Sequence, residues 1–181
     1  MVIINFLLLL VCLCISYLPL ILILTTDAQR RDWVSSLQPA TFPGNAATIT
    51  LYALVAFLAA LSLFVTILRS PFSYTAGVVI FIHALLMGLT CFWVYFLYVM
   101  QEPNIAFGVQ GTNVGIVVVL IVSHLMRGQA SWMAAAFLLP LLMWFGYLAY
   151  TGKFVADQYM DRNFPPLTLA ASERGAVTGN K

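Results

Sequence analysis

Apolar residues fall in five long blocks separated by short polar breaks. A helix rising roughly 1.5 Å per residue needs about 20 apolar residues to cross a ~30 Å hydrocarbon layer. The blocks 2–24, 46–68, 72–100, 105–126 and 132–153 all reach that length, and each is expected to be a membrane-spanning helix. The first carries no side-chain charge ahead of it and is longer than the core of a secretory signal, so a retained helix is expected over a cleaved leader. Segment 25–45 holds Asp27, Arg30, Arg31, Asp32, Trp33, Pro39 and Pro43. It is long for a connection in a bundle, which favours a structured cap over the helix ends above a plain linker. Pro71 stops the second block, and a Gln101-Glu102-Pro103-Asn104 turn separates the third from the fourth. From Val155 onward the chain is expected to be a polar tail running to 181.

Composition sharpens this pattern. Of 181 residues, 62% are hydrophobic and 8% charged, against ~45–50% and ~25% in soluble domains. The chain is therefore expected to be an all-α integral membrane protein, a five-helix transmembrane bundle. A net charge of +2, scattered between apolar blocks, leaves no basic face for nucleic acid. Arg30, Arg31, Lys153 and Arg162 fall on one side of the membrane, Arg69 and Arg127 on the other, so the long first loop and the tail are expected to face the cytosol. Cys12, Cys14 and Cys91 lie inside apolar blocks and suggest neither a disulfide framework nor a zinc site.

The informative residues sit inside the blocks. Residues 134–154 read AAAFLLPLLMWFGYLAYTGKF, with Pro140 a third of the way in, Trp144 four residues later and Lys153 at the far end. This predicts a last helix loosened near Pro140, an aromatic side chain aimed into the bundle and a cation at the interface. The third block ends in CFWVYFLY, the most aromatic stretch present. Ala56/Ala60 and Gly111/Gly115 have the small-xxx-small spacing that permits close helix contact. His83 and His124 are the intramembrane ionisable groups, but roughly 13–16 Å and ~3–5 Å of depth set them too far apart for paired haem ligation. Neutral histidines bonded to neighbouring helices are expected instead. No carboxylate lies in a predicted helix core, and nucleophile triads, phosphate loops and metal-ligand spacings are absent, so neither a proton relay nor an enzyme is expected.

Order and spacing over residues 33–154 resemble the translocator protein / tryptophan-rich sensory protein (TspO/MBR) family. The first loop, DWVSSLQPATFPG, supplies Trp33, Leu37, Pro39 and Pro43; the third helix and its turn supply WVYFLYVMQEPNIA from Trp93; the last helix supplies Ala135, Leu138, Leu139, Pro140 and Trp144. Several cavity positions depart from the family pattern: its third-helix Asn falls on Thr90, the preceding Gln on Leu86, the Tyr after the proline on Leu141 and a later Asn on Gly152. The kept residues are mostly packing and turn residues.

The resemblance implies a bundle that binds a lipophilic planar ligand, a sterol or a tetrapyrrole, between its helices. It also implies no fixed cofactor, a haem or porphyrin entering only as a ligand. Trp33, Tyr52, Thr90, Trp93, Leu141, Trp144, Tyr147 and Tyr150 are the ligand-binding candidates, Trp33 in the lid and Thr90 as a hydrogen-bond anchor. Leu148, Tyr150 and Lys153 also match a cholesterol-contact pattern, which an interface anchor explains equally well. The expected partners are membrane lipids, the sterol or porphyrin-like ligand, and a second copy or a larger membrane complex. A mitochondrial membrane is the expected location and a bacterial envelope the alternative. The competing reading is a non-catalytic accessory subunit of a larger membrane complex, such as a respiratory one, that kept the fold and lost the pocket; a small transporter or haem carrier is a third.

Overall fold

The computed structural model describes residues 2–39, 42–69, 74–127 and 131–163. Five helices in it are long and apolar enough to cross a membrane. They are α1 (Val2–Thr25), α3 (Asn45–Arg69), α4 (Tyr74–Val94), α5 (Pro103–Met126) and α6 (Trp132–Asn163). A shorter helix, α2 (Ala28–Leu37), lies between the first two, and α4 runs on into a π-helical turn, Tyr95–Val99. No described residue is in a strand. The protein is a multi-pass, five-helix membrane bundle.

Neighbouring helices close a ring: α1 packs on α3, α3 on α6, α6 on α5, α5 on α4, and α4 back on α1. The order follows from where small residues permit close approach. Ala56, Ala59 and Ala60 on α3 and Ala134 and Ala135 on α6 are buried, and Ser62 Oγ donates to Ala134 O across that seam at 2.9 Å. Tyr17 OH on α1 donates to Ala53 O on α3 at 2.9 Å, and Gln110 Nε2 on α5 donates to Phe145 O on α6 at 3.4 Å. With lipid as the surroundings, apolar burial does little to bring helices together, so packing and such bonds set helix order. Gly111 and Gly115 are exposed, and a Cβ at either would meet nothing within 4 Å, so no helix of this chain uses that ridge.

Three boundaries differ from the sequence expectation. The 25–45 segment is helical over ten residues: Asp27 caps α2, accepting from Arg30 N at 2.9 Å, and Pro39 lies just past its end. Helix α5 starts at Pro103, because a proline in the first turn leaves no intrahelical bond unmade. Helix α6 continues ten residues past Lys153 to Asn163. Asp157 and Asp161 there are exposed, while Val155 and Ala156 stay buried. The expected Pro71 stop, the first two residues of the expected third helix and the tail beyond 163 lie outside the described residues.

Pro19 and Pro140 both sit inside continuous helices. Each removes one backbone donor, which a packed bundle tolerates. The histidines do not make the expected bonds. His83 and His124 are each 1% exposed, yet His83 Nε2 and His124 Nδ1 have no partner.

Candidate ligand cavity

A cavity of about 510 Å³ lies in the α2 half of the bundle. Every spanning helix contributes a wall: Leu20 and Ile23 from α1, Ile49 and Tyr52 from α3, Trp93 from α4, Ala106 and Phe107 from α5, and Trp144, Leu148 and Thr151 from α6. Leu97 and Tyr98 come from the π-helical turn. Above them Ala28, Arg31, Asp32 and Val34 of α2, with Gln38, Phe42 and Thr48, form the more polar end.

The π-helical turn places two aromatics on one wall. Trp93 and Tyr98 are five residues apart, which on a regular 3.6-residue helix would point them well away from each other. Widening the helix brings the rings edge to face, centroids 6.5 Å apart at 89°. Met100 N bonds Tyr95 O at 3.0 Å, five residues back, and Glu102 N bonds Phe96 O at 2.9 Å. Between them Gln101 adopts φ 57°, the left-handed conformation that ends the helix and turns the chain into α5.

A second aromatic stack joins the cap to α6. Phe42 lies on Tyr147 (centroids 5.8 Å, 20°), and Tyr147 lies on Trp144 (5.9 Å, 27°). Arg30 ties the cap to the other wall: its Nε is 3.1 Å from Asp27 Oδ2, and its guanidinium donates to Val99 O at 3.4 Å.

The eight candidates of the sequence separate clearly by position. Tyr52, Trp93 and Trp144 line the cavity from three different helices. Tyr147 stands behind them, half-buried, linking Phe42 to Trp144. Trp33 belongs to the cap, but its ring meets Tyr159 edge-on at 6.3 Å, so it holds α2 to the end of α6 and does not line the cavity. Thr90 is fully buried away from the cavity and donates to Leu86 O at 2.7 Å, leaving its hydroxyl no proton for a ligand there. Leu141 packs in the core, also away from the cavity. Tyr150 is 78% exposed and points outward, opposite to the site the resemblance implied. Within the cholesterol-contact pattern only Leu148 reaches the cavity, because a residue two further along a helix turns to another face.

The α1 wall, Tyr98, Phe107, Phe42 and the polar residues of α2 were not among the candidates. The CFWVYFLY stretch flagged Tyr98 as aromatic, but its direction depends on a π-helical widening that side-chain periodicity does not signal. Nothing in an even run of Leu and Ile marks Leu20 or Ile23 as cavity-facing.

The geometry is that of a partly open cavity walled by all five spans and capped by a short helix. The model of the TspO/MBR family matches residues 7–154, which run from α1 into α6 and include every cavity wall except Val155. The chain belongs to the TspO/MBR family. A search of curated proteins finds no match. Among this TspO/MBR protein's described residues, no group of three or more His, Cys, Asp or Glu is placed to hold a metal ion. Trp144, in the cavity wall, keeps a buried Nε1 without a hydrogen-bond partner.

Proposed function

We propose that this TspO/MBR protein is a non-catalytic binding protein for a flat, mostly apolar molecule, a sterol or a tetrapyrrole, held between the five helices. The observation that carries this reading is the meeting of Tyr52, Trp93 and Trp144 around one cavity of about 510 Å³. That volume falls in the ~300–1,000 Å³ range of small-molecule sites, and aromatic walls suit a planar apolar body. The unpartnered Trp144 Nε1 would donate to an acceptor on the ligand, and Arg31, Gln38 and Thr48 would face its polar end. A mitochondrial membrane is the location we favour for it. An accessory subunit that had lost its pocket would lack such a cavity, so that reading has less support.

The test is titration of the purified protein in nanodiscs with protoporphyrin IX and, separately, with cholesterol, read by tryptophan fluorescence in a Trp33→Phe/Trp132→Phe background. Saturable quenching through Trp93 and Trp144 is expected for one of the two. Linear, unsaturable change with both would overturn the reading.

A further inference from the structure

The end of the bundle away from the cavity carries charge of one sign only. Between Asp32 and Glu102, and again between Glu102 and Asp157, the sequence contains no carboxylate. The ends of α3 and α5 and the starts of α4 and α6 therefore meet the membrane surface with Arg69 and Arg127 and no acidic residue. Helices α4 and α5 pack on one another.

Three nitrogens in this region are buried without a hydrogen-bond partner: His83 Nε2 on α4, His124 Nδ1 on α5, and a terminal guanidinium nitrogen of Arg127. His124 and Arg127 are three residues apart, on one face of the end of α5, where Arg127 N bonds His124 O at 3.2 Å. His83 is within electrostatic reach of His124, and His124 of Arg127. A buried polar atom left unbonded is costly, and three in sequence from the interface inward are unusual. The carbonyls at the end of α5 offset part of the Arg127 charge but leave these nitrogens unbonded.

We propose that Arg127 and His124, backed by His83, form an anion site between α4 and α5 that receives the phosphate of an anionic membrane lipid. Arg127 and His124 supply nitrogen donors near the membrane surface, with His83 deeper behind them, and among the described residues no acidic side chain belongs to this end of the bundle. Arginine binds phosphate oxygens through paired N–H groups, and basic recesses between membrane helices are suited to anionic headgroups. The acyl chains would lie along the exposed apolar face of α5, where Val118, Val122 and Leu125 point outward. The site is at the opposite end of the bundle from the cavity and does not depend on what the cavity binds.

The chain has two histidines, so imidazole signals report on this site alone. The wild-type protein, ¹⁵N-labelled at histidine, is placed in nanodiscs of phosphatidylcholine with or without phosphatidylglycerol, or in phosphatidylcholine with inorganic phosphate. Expected are a ³¹P–¹⁵N contact and a shift of the His124 signal with phosphatidylglycerol alone. The same shift with inorganic phosphate and none with phosphatidylglycerol would keep the anion site but overturn the lipid as its occupant. No shift with either anion overturns the site. Arg127→Gln is expected to weaken retention of phosphatidylglycerol, read by native mass spectrometry, about fivefold to tenfold, with Arg127→Lys in between. Equal retention by wild type and Arg127→Gln would count against the proposal even if the contact were seen.

Discussion

Phe42 and Tyr147 lie nearly parallel with ring centroids 5.8 Å apart, so the segment after α2 rests directly on the last spanning helix. Tyr147 in turn stacks on Trp144 in the cavity wall. The cap and the wall thus share one aromatic column, and disturbing the cap disturbs the wall. Aromatic pairs of this kind contribute about 0.5–1.5 kcal/mol beyond the area they bury. Phe42→Ala is therefore expected to speed release of a cavity ligand roughly threefold to tenfold. Stopped-flow fluorescence checks this; an unchanged release rate would mean the cap does not retain ligand.

Trp144→Phe removes the indole N–H while keeping an aromatic wall. Because that N–H is buried without a partner, removing it should leave the stability of the protein assayed without ligand unchanged or raise it slightly. Ligand affinity should fall by about 1 kcal/mol if the ligand offers an acceptor there. Thermal unfolding with and without ligand separates the two effects.

Gly152 lines the cavity, and a Cβ there would meet Phe107 Cδ2 at 3.7 Å, an ordinary contact. Gly152→Ala is expected to fold normally. Gly152→Phe should fill the space between α5 and α6 and abolish saturable binding while circular dichroism stays the same; retained binding would show that the ligand sits elsewhere.

Gln101 holds φ 57° between the π-helical turn and α5. Left-handed backbone costs a residue with a Cβ about 1–2 kcal/mol relative to the right-handed form, a penalty glycine escapes. Gln101→Gly should raise the unfolding temperature in detergent, by an amount worth up to roughly 1 kcal/mol. A fall would show that the Gln101 side chain makes a compensating contact.

Asp27 both caps α2 and pairs with Arg30. Its carboxylate and the guanidinium are largely exposed, so the ion pair contributes little and the cap dominates. Asp27→Ala should loosen α2 by about 1 kcal/mol, and Asp27→Ser should recover most of it. Hydrogen exchange across residues 28–37 measures both, with little change expected in the spanning helices.

The number of spans and the family were legible because they are recorded locally. A run of about 20 apolar residues has few stable fates other than a membrane helix. The spacing of Trp33, Trp93, Pro140 and Trp144 survives in the sequence whatever the neighbours do. The departure at the end of α6 is of another kind: the polar sequence from Val155 onward reads as a tail, whereas the burial of Val155 and Ala156 and the contact of Tyr159 with Trp33 of α2 accompany a helix that runs on to Asn163.

Which side chains share an interior was decided by the fold. Thr90 and Leu141 point at other helices, Tyr150 points outward, and Tyr98 points inward, although all four lie in equally apolar runs. In a membrane both the lipid-facing and the core-facing surfaces of a helix are apolar, so periodicity loses the contrast that marks the inside of a soluble protein. The sequence alone determined that the chain crosses the membrane five times and which family it resembles. Only the tertiary structure, through the ring order of the helices and the π-helical turn that re-aims Tyr98, decided which aromatics enclose the cavity and that His83, His124 and Arg127, away from it, each keep a buried nitrogen without a partner.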